Sequence, residues 1–442
     1  MTFVALGGGL ILIAARSRPT RAQHRQVLAV SHPAGHHSVE IKALESQRVR
    51  EFLEVCEAAF GEVPAEASLE RHERLVDPSR FLCAAEHGRI VGTAGAFELQ
   101  MTVPGARLPV AAVTMVGVVP THRRRGILSE MMRHLLHEAR ARGEPVTALY
   151  ASEGGIYQRF GYGLATIEGS MTLARERSSF AFDVGHYGTP RIVDEEEALR
   201  FMPDVYDRVA AAVPGHMSRS VDWWKNHRLV FDDGDNGKSP IWRMVLEGNN
   251  GHEGYAIYRI EHRWAGGVPC SRLEVMEAAA STPEADAAVW RYLLGVDLVE
   301  EVTCSNMPVD HPLAFWLEEP RRMRLRLADG LWVRIVDVAG ALEARRYSAD
   351  GSLVIDLQDD FMPDNSGRYQ MNVSAGQATV SKSRKAPQLE LNMRDLSAIY
   401  LGGVRGLALT RAGRIHEIDS GAAGMADAMF SWGQTAYCRE IF

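Results

Sequence analysis

The stretch 113–150 constrains the fold of this chain more than any other part of it. Val113–Val119 is an apolar, β-branched run, which predicts a buried strand. A turn with three consecutive arginines follows, and from Ile127 the apolar residues recur at helical spacing. Val146–Tyr150 then predicts a second strand. A strand–helix–strand unit predicts two parallel strands joined by a right-handed crossover.

The basic turn, Thr121–Gly126, lies where this predicted helix begins. A helix N-terminus offers unpaired N–H groups and a partial positive charge. Gly126 permits close approach of a ligand to the backbone, and Arg123 and Arg124 add charged donors. The turn therefore predicts a site for a phosphate or pyrophosphate. The alternative is a solvated surface patch. That would be the favoured interpretation of three consecutive arginines that did not lie between a strand and a helix.

Composition limits the classes of function. The chain has 442 residues, which predicts two or three domains. Its formal charge is −7, from 49 Lys and Arg against 56 Asp and Glu, which argues against non-specific nucleic-acid binding and permits a cationic substrate. The five cysteines are widely scattered, with no metal-binding spacing. This pattern predicts reduced thiols, a cytoplasmic location and no metal site.

The N-terminal segment 1–38 is excluded from the fold argument. Its apolar run, Phe3–Ala15, is too short to span a bilayer and has no positive region before it. The residues that follow are polar, basic and irregular. We predict an unstructured extension and no membrane association, and an uncleaved membrane anchor is the alternative.

The remaining chain divides into three regions. Residues 39–170 predict the order strand, helices, hairpin, strand, basic turn, helix, strand. Residues 171–328 repeat the strand–helix–strand order without an Arg-x-x-Gly turn. Residues 329–442 begin with the predicted strand Gly330–Val336 and alternate short strands with helices, which predicts a small α+β layer.

Two sequence blocks carry a resemblance to a known family. Arg123-x-x-Gly126 resembles the acetyl-CoA loop of the GNAT acetyltransferases, although Leu128 departs from the Gly or Ala of that pattern. The pair PTHRRRG and ASEGGIYQRFGYG is more narrowly similar to the Eis (enhanced intracellular survival) acetyltransferases of actinobacteria. The resemblance extends from about Val39 to the C-terminus.

The resemblance implies an α/β (α+β) fold with three domains. Residues 39–170 would form a catalytic GNAT domain, residues 171–328 a degenerate GNAT-like domain, and residues 329–442 a sterol carrier protein-like domain. It also implies acetyl-CoA as co-substrate and a homo-hexamer built as a dimer of trimers. The apolar faces of the last domain are interpreted as core rather than as a lipid pocket.

The same resemblance implies an acetyl-CoA site around the basic turn. The backbone of Val116 and Val118 would pair with the pantetheine arm as if it were another strand, and their side chains would be core. The cofactor-binding residues expected on this basis are Val116, Val118, Arg123, Arg124, Gly126, Ile127 and Ser152.

Amine acetylation also needs a base and an acid. A tyrosine hydroxyl is neutral at pH 7 and can protonate a thiolate, and the family pattern favours Tyr157 over Tyr162 as that acid. The base implied by the family is the main-chain carboxylate of the last residue, Phe442, which requires the chain end to dock in the N-terminal domain. Glu153 is the alternative base.

Three acids, Glu62, Glu153 and Glu440, are candidates for binding a cationic amine. The alternative for Glu62 and Glu440 is that they are solvated, and the alternative for Glu153 is that it only holds its loop. His122 is interpreted as a loop residue. The first functional hypothesis is direct acetyl transfer, in a ternary complex, to primary amines of a cationic small molecule such as an aminoglycoside or a polyamine. The others are a protein lysine acetyltransferase and a non-catalytic acyl-CoA or lipid-binding protein.

Overall fold

The computed structural model describes residues 5–6, 9–10, 39–183, 185–230 and 238–442. Its three main sheets have seven, seven and five strands. The extension predicted at residues 1–38 lies outside the described residues, except for two short antiparallel strands, Ala5–Leu6 and Gly9–Leu10.

The first sheet contains the predicted strand–helix–strand unit. Ala106–Val118 runs parallel to Val146–Tyr150, and helix Ile127–Ala141 connects them, which confirms the predicted element order and the parallel pairing. In spatial order the strands are Glu40–Ala43, Phe81–Glu86, Arg89–Val103, Ala106–Val118, Val146–Tyr150, Leu331–Ile335 and Gly163–Leu164. The helices of this domain are Val49–Phe60, Glu66–Leu75, Ile127–Ala141 and the single turn Gly154–Tyr157.

Helix Ile127–Ala141 begins and ends where the local sequence directs it. Gly126 precedes it with φ of 82°, and Gly143 follows it with φ of 77°, two left-handed positions that suit glycine. The buried residues recur at helical spacing and pack on the sheet: Ile127, Met131, Met132, Leu135, Leu136 and Ala139.

The two central parallel strands separate towards their C-terminal ends. Their pairing covers only Val110–Ala112 and Val146–Ala148. Just beyond, Met115 has φ of 52°, and the ladder with the neighbouring strand Arg89–Val103 shifts register, which marks a β-bulge. Residues 113–118 thus keep their antiparallel neighbour and lose the parallel one. A cleft opens at this point.

The second sheet repeats the unit without its basic turn. Ser271–Ala280 runs parallel to Val299–Pro308 across helix Pro283–Gly295, whose N-terminus is capped by the Thr282 hydroxyl, accepting from the Ala285 N–H at 3.1 Å. In spatial order the strands are Thr189–Ile192, Trp242–Gly248, Gly251–Glu261, Ser271–Ala280, Val299–Pro308, Ile167–Ala174 and Arg326–Asp329. The other helices here are Glu195–Ala210, Val221–Trp223 and Leu313–Trp316, and a two-stranded hairpin joins Trp264–Ala265 to Val268–Pro269.

Strand Leu331–Ile335 departs from the predicted domain boundary at residue 329. It pairs antiparallel with Val146–Tyr150, so it lies in the first sheet and not in the C-terminal domain. The strand before it, Arg326–Asp329, pairs with Ile167–Ala174 in the second sheet. The predicted boundary at 170 likewise cuts through Ile167–Ala174. Local residue alternation identifies a strand, but it carries no information on a partner distant in the chain.

The third sheet forms the C-terminal α+β layer. Its strands in spatial order are Gln377–Lys382, Gly367–Ser374, Gly351–Gln358, Leu389–Asn392 and His416–Glu417. Its helices are Val338–Ala344, Met393–Ile399, Gly406–Arg411 and Ala422–Phe430. One buried apolar cluster contains Val110 and Val333 of the first sheet together with Leu357 and Tyr400. The first and third units therefore share a core. Residues 431–442 follow as the C-terminal tail.

Within the part of the chain that the structure describes, no helix is long and apolar enough to cross a membrane. The cysteines carry free thiols. Among the described residues no cluster of His, Cys, Asp and Glu has an arrangement that could hold a metal ion.

Candidate active site

A cavity of about 210 Å³ lies in the cleft between the separated strands. Its walls come from helices Val49–Phe60 and Glu66–Leu75, the bulged strand Ala106–Val118, the loop after Tyr150 and the end of the chain. It brings together five residues predicted from the sequence, drawn from distant parts of the chain: Glu62, Val116, Ser152, Tyr157 and Phe442.

Arg123 holds the basic turn in place. Its Nε donates to the Val118 carbonyl oxygen at 3.0 Å, and its Nη2 donates to the Ala59 carbonyl oxygen at 2.6 Å. This guanidinium thus ties the turn to the bulged strand and to helix Val49–Phe60. Arg124 is exposed, with φ of 64°. Of the two arginines predicted to bind phosphate, Arg124 presents its guanidinium to solvent, and Arg123 shapes the turn.

The remaining groups of the basic turn form an ion cluster beside an open helix end. Arg125 Nη2 donates to Glu86 at 2.6 Å, and His122 Nε2 lies 2.9 Å from the second Glu86 oxygen. These two hydrogen bonds lower the pKa of Glu86 to about 2. His122 lies in the short 3-10 turn Pro120–His122 and is not among the residues that line the cavity. A Cβ placed on Gly126 would meet no atom within 4 Å, so space is open before the N–H groups that begin with Ile127.

Tyr157 lines the cavity and Tyr162 does not. Tyr162 is fully buried, and its hydroxyl accepts from Thr147 Oγ1 at 2.9 Å. Tyr157 is 6% exposed, and burial raises its pKa to about 12, an effect partly offset by a hydrogen bond with Ser152. Its hydroxyl therefore stays protonated through the neutral range. This arrangement suits Tyr157 to donate a proton into the cavity.

Glu57 is a cavity residue that the sequence reasoning missed. Helix Val49–Phe60 ends at Gly61, whose φ of 82° closes a Schellman turn in which the Glu62 N–H donates to the Glu57 carbonyl oxygen at 3.0 Å. The turn sets the two carboxyl groups side by side. Burial raises the pKa of Glu57, and Glu62 raises it further by repulsion and hydrogen bonding. A glycine after an amphipathic helix was the available signal, because it predicts this turn.

Two of the acids predicted to bind substrate do not line the cavity wall. Glu153 is exposed at the position before the short helix Gly154–Tyr157. The Glu440 side chain is fully buried against Arg219. The prediction that these acids line the substrate pocket is therefore corrected, and Glu62 is the one of the three that does so.

The C-terminal tail docks in the N-terminal domain, as the terminal-base hypothesis requires. The Tyr150 hydroxyl donates to the Cys438 carbonyl oxygen at 2.9 Å, and a 3.0 Å hydrogen bond joins His227 Nε2 to the Ile441 carbonyl oxygen. The Phe442 ring packs edge-on against Tyr150, with ring centroids 6.0 Å apart. The last residue of the chain is thus part of the cavity wall.

A buried charge cluster anchors the tail to the second domain. Arg219 makes two hydrogen bonds to Glu277, both 2.9 Å, and also binds Glu440, and all three side chains are fully buried. The guanidinium lies over the rings of Tyr206 and Trp224, at 3.7 and 4.6 Å from their centroids. Burial raises the pKa of Glu277, but the attraction of Arg219 and neighbouring cations outweighs it and holds that pKa well below its ordinary value. Glu277 and Arg219 are therefore both charged at neutral pH.

Cys56 also lines the cavity, but its thiol is not activated. Burial raises its pKa to about 12, and the neighbouring Glu57 contributes in the same direction. A nucleophilic cysteine requires a lowered pKa. Cys56 is therefore a neutral wall residue.

Comparison with protein-family models gives three matches. Models described as "Acetyltransferase (GNAT) domain" match residues 40–165 and 215–335, and a model described as "Sterol carrier protein domain" matches residues 338–439. The predicted fold class, two GNAT domains followed by a sterol carrier protein-like domain, is confirmed.

Among curated proteins, an "Uncharacterized N-acetyltransferase" of Streptomyces avermitilis is 38% identical over 383 residues, covering 84% of this chain and 92% of the relative. "N-acetyltransferase Eis" of Mycobacterium tuberculosis is 33% identical over 357 residues, covering 79% of this chain and 85% of the relative. Among solved structures, Eis1 from Mycobacterium abscessus is 31% identical, with a TM-score of 0.80, covering 91% of this chain and 100% of that chain.

Proposed function

Because the chain belongs to the Eis family of GNAT N-acetyltransferases, we propose that it acetylates a primary amine of a small cationic molecule directly, in a ternary complex with acetyl-CoA. The GNAT fold implies acetyl-CoA as the co-substrate. The observation that carries the proposal is the docking of Phe442 in the cavity that Tyr157 and Val116 also line. Phe442 and the buried Tyr157 thereby line one space beside a strand whose parallel edge is open.

The residues around the cleft fit a nucleotide thioester. The bulged strand has lost its parallel partner beyond Ala112, so its backbone can pair with an amide-containing chain. The Val118 carbonyl oxygen already accepts from Arg123, which favours Val116 for this pairing. At the other end, Arg124 and the N–H groups of the helix that begins at Ile127 suit a pyrophosphate.

Phe442 and Tyr157 would divide the proton transfers. The bound thioester supplies the acetyl group. The Phe442 carboxylate accepts one proton from the substrate ammonium and passes it to solvent, and the freed amine forms the new bond to the acetyl carbon. Tyr157 donates a proton to the sulfur as the carbon–sulfur bond breaks, and the second proton lost by the nitrogen restores the tyrosine. The substrate enters as an ammonium and leaves as a neutral amide, so each turnover releases one proton to solvent and one free thiol.

Direct transfer is favoured over an acetyl-enzyme intermediate. Cys56 is the cysteine that lines the cavity, and its pKa of about 12 keeps the thiol protonated. A thiolate is the form that attacks a thioester. The acetyl group would therefore pass to the amine without forming a covalent intermediate on the protein.

The decisive experiment compares untagged, N-terminally tagged and C-terminally tagged protein in a thiol-release assay with acetyl-CoA and a panel of amines. Extension beyond Phe442 converts its carboxylate into a neutral amide, and general-base contributions are about 10²–10⁴-fold. We expect a loss of that size in kcat for the C-terminally tagged form alone. Light scattering checks that the forms assemble alike and tests the predicted hexamer. Full activity of the C-terminally tagged form would reject Phe442 as the base.

Tyr157→Phe tests the acid, with Tyr162→Phe as the matched control. Both variants remove one hydroxyl from neighbouring rings whose centroids lie 6.0 Å apart. Tyr157→Phe should fold normally and lose about 10²–10⁴-fold in kcat, whereas Tyr162→Phe should mainly lower stability through its hydrogen bond with Thr147. The opposite pattern of activities would assign the acid to Tyr162.

A further inference from the structure

Tyr157 lies in a short helical segment, residues 154–162, which we call the Tyr157 turn. It consists of helix Gly154–Tyr157 and the 3-10 turn Gln158–Phe160. Gly161 ends it with φ of 85°, and the Tyr162 N–H donates to the Tyr157 carbonyl oxygen at 3.4 Å. Isolated helices shorter than about 12–15 residues are marginal in water. Contacts with other elements therefore have to set the position of the Tyr157 side chain.

Arg334 packs against the end of the Tyr157 turn. It lies on strand Leu331–Ile335, and its side chain is fully buried. A Cβ on Gly161 would overlap Arg334 Nη1, so only a glycine permits this contact. The same Nη1 has no hydrogen-bond partner among the residues that the structure describes. One side of the guanidinium thus lies against the backbone of the turn.

Asp359 of the C-terminal domain holds the other side of that guanidinium. Its Oδ2 accepts from Arg334 Nη2 at 2.7 Å, and its Oδ1 accepts from the two backbone N–H groups at positions 361 and 362, at 3.2 and 3.0 Å. Asn365 Nδ2 also donates to Oδ2, at 2.9 Å, and Asn365 Oδ1 accepts from Arg140 Nη2 at 2.6 Å. The carboxylate is therefore fixed by its own loop and by helix Ile127–Ala141.

The C-terminal domain also contacts the Tyr157 turn directly. The ring of Phe361 packs edge-on against Phe160, with centroids 4.9 Å apart. Just after the turn, Gly163 lies so close to helix Met393–Ile399 that a Cβ on it would overlap the backbone of that helix. The turn is therefore packed between its own domain and the C-terminal domain.

We propose that Arg334 and Asp359 are positioning residues, through which the C-terminal domain sets the place of the Tyr157 turn and of the hydroxyl that Tyr157 donates. This inference rests on the proposed function and adds a second catalytic role for the C-terminal domain besides carrying the chain end. Neither residue is among those that line the cavity, so their effect passes through the turn. A displacement of about 1 Å caused by a distant substitution can cost about 10²-fold in rate.

The first test is the pair variant, Arg334→Met/Asp359→Asn. Replacement of both partners avoids an unpaired buried charge. We expect kcat to fall by about 10²-fold, with the KM for acetyl-CoA unchanged within about twofold, because the pair does not contact the cavity. Arg405→Met/Asp427→Asn makes the same change in another ion pair of the C-terminal domain, with 2.8 Å between Nε and Oδ2, and should leave kcat unchanged. An unchanged kcat in the folded pair variant would overturn the inference.

A double-mutant cycle separates positioning from a general loss of structure. If the pair acts through Tyr157, then adding the pair variant to Tyr157→Phe should lower kcat by less than about twofold further, since residues that act as a unit are not additive. A merely structural role would lower kcat by the same factor in both backgrounds, and that result would also overturn the inference.

Hydrogen exchange of residues 154–162 reports on the turn without turnover. We expect these amides to exchange about tenfold faster or more in the pair variant. Full activity of Tyr157→Phe would reject the proposed acid, whatever the exchange rate. Lost activity of Tyr157→Phe, with unchanged exchange and kcat in the pair variant, would reject the positioning role alone and keep the transferase.

Arg334→Lys is the second variant if the pair variant fails to fold. It keeps a positive charge opposite Asp359 and removes the planar group that lies against Gly161. It should lower kcat by about tenfold or more and show the same dependence on Tyr157. A folded Arg334→Lys protein with the kcat of the parent would overturn the inference.

Discussion

Glu440→Gln is the sharpest test of how the chain end is held in the active site. The substitution keeps the shape of the side chain and removes its charge. Glu440 lies two residues before the terminus, fully buried, with its carboxylate bound to Arg219. Neither residue is among those lining the cavity, so the variant leaves the lining side chains as they are.

The expected free-energy cost of this substitution follows from the burial of the ion pair between Glu440 and Arg219. Removal of one partner from a buried ion pair costs about 3–5 kcal/mol. The amide oxygen of Gln can still accept from Arg219, and Glu277 still makes its hydrogen bonds to that guanidinium, so we take the lower end, about 3 kcal/mol. Since about 1.4 kcal/mol is a factor of ten, the population with an undocked tail should rise by about 100-fold.

Carboxypeptidase digestion measures this population. When docking and undocking are fast relative to cleavage, the cleavage rate follows the open fraction. Release of Phe442 should therefore be about 100-fold faster in the variant. Activity should decay at the same rate as Phe442 is released, because each cleaved molecule has lost the proposed base.

Asp395→Asn is the matched control. Asp395 is fully buried and pairs with Arg414 at 2.5 Å in the C-terminal domain. Its neutralisation should destabilise the protein, yet tail cleavage should stay within about twofold of the parent, because distant sites act independently. Unchanged cleavage and activity in Glu440→Gln, or equal acceleration in both variants, would refute a specific anchoring role for Glu440.

Three further predictions concern the basic turn, a domain contact and acid stability. Arg124→Ala should weaken CoA binding by about 1–3 kcal/mol in calorimetry, and an unchanged Kd at low and high salt would contradict the placement of the pyrophosphate. Gly163→Ala should lower the urea midpoint, since its Cβ would lie 2.0 Å from the backbone of helix Met393–Ile399, whereas Gly424→Ala, with open space around it, should not. The folded pKa of His227 is about 4, against 6.5 when unfolded, so the unfolded chain takes up a proton that the folded chain excludes. Stability should therefore fall as pH drops from 6.5 to 4, and His227→Asn should flatten that slope by up to about 1.4 kcal/mol per pH unit, with an unchanged slope counting against the assignment.

The sequence was sufficient where structure depends on neighbouring residues. Helix Ile127–Ala141 matched its prediction because its apolar spacing and its flanking glycines lie within one window of the chain. Strand Leu331–Ile335 was also recognised as a strand. Its membership of the first sheet was not predicted, because pairing with Val146–Tyr150 depends on the path of the whole intervening domain.

The candidate active site shows the same difference between features set by neighbouring residues and features set by residues distant in the chain. The proximity of Tyr157 and Phe442 followed from family resemblance, since no local pattern links a mid-chain tyrosine to a chain end. The positive charge of Arg123 was evident from the sequence. Its hydrogen bonds to two backbone carbonyl oxygens were not evident, and these bonds show that Arg123 shapes the turn. Neither interpretation of Glu440, as a pocket acid or as a solvated residue, included its burial against Arg219, because that cation lies far away in sequence.

The late position of strand Leu331–Ile335 has a consequence for synthesis on the ribosome. Strand Val146–Tyr150 emerges with one edge unpaired, and at about 5–20 residues per second its partner follows on the order of ten seconds later or more. An open strand edge is a template for pairing with other chains, so the nascent protein passes through an aggregation-prone interval. The cavity is then completed by Ile441 and Phe442, which follow strand Leu331–Ile335 in the sequence. Translation therefore has to continue well beyond that strand before this site has all of its walls.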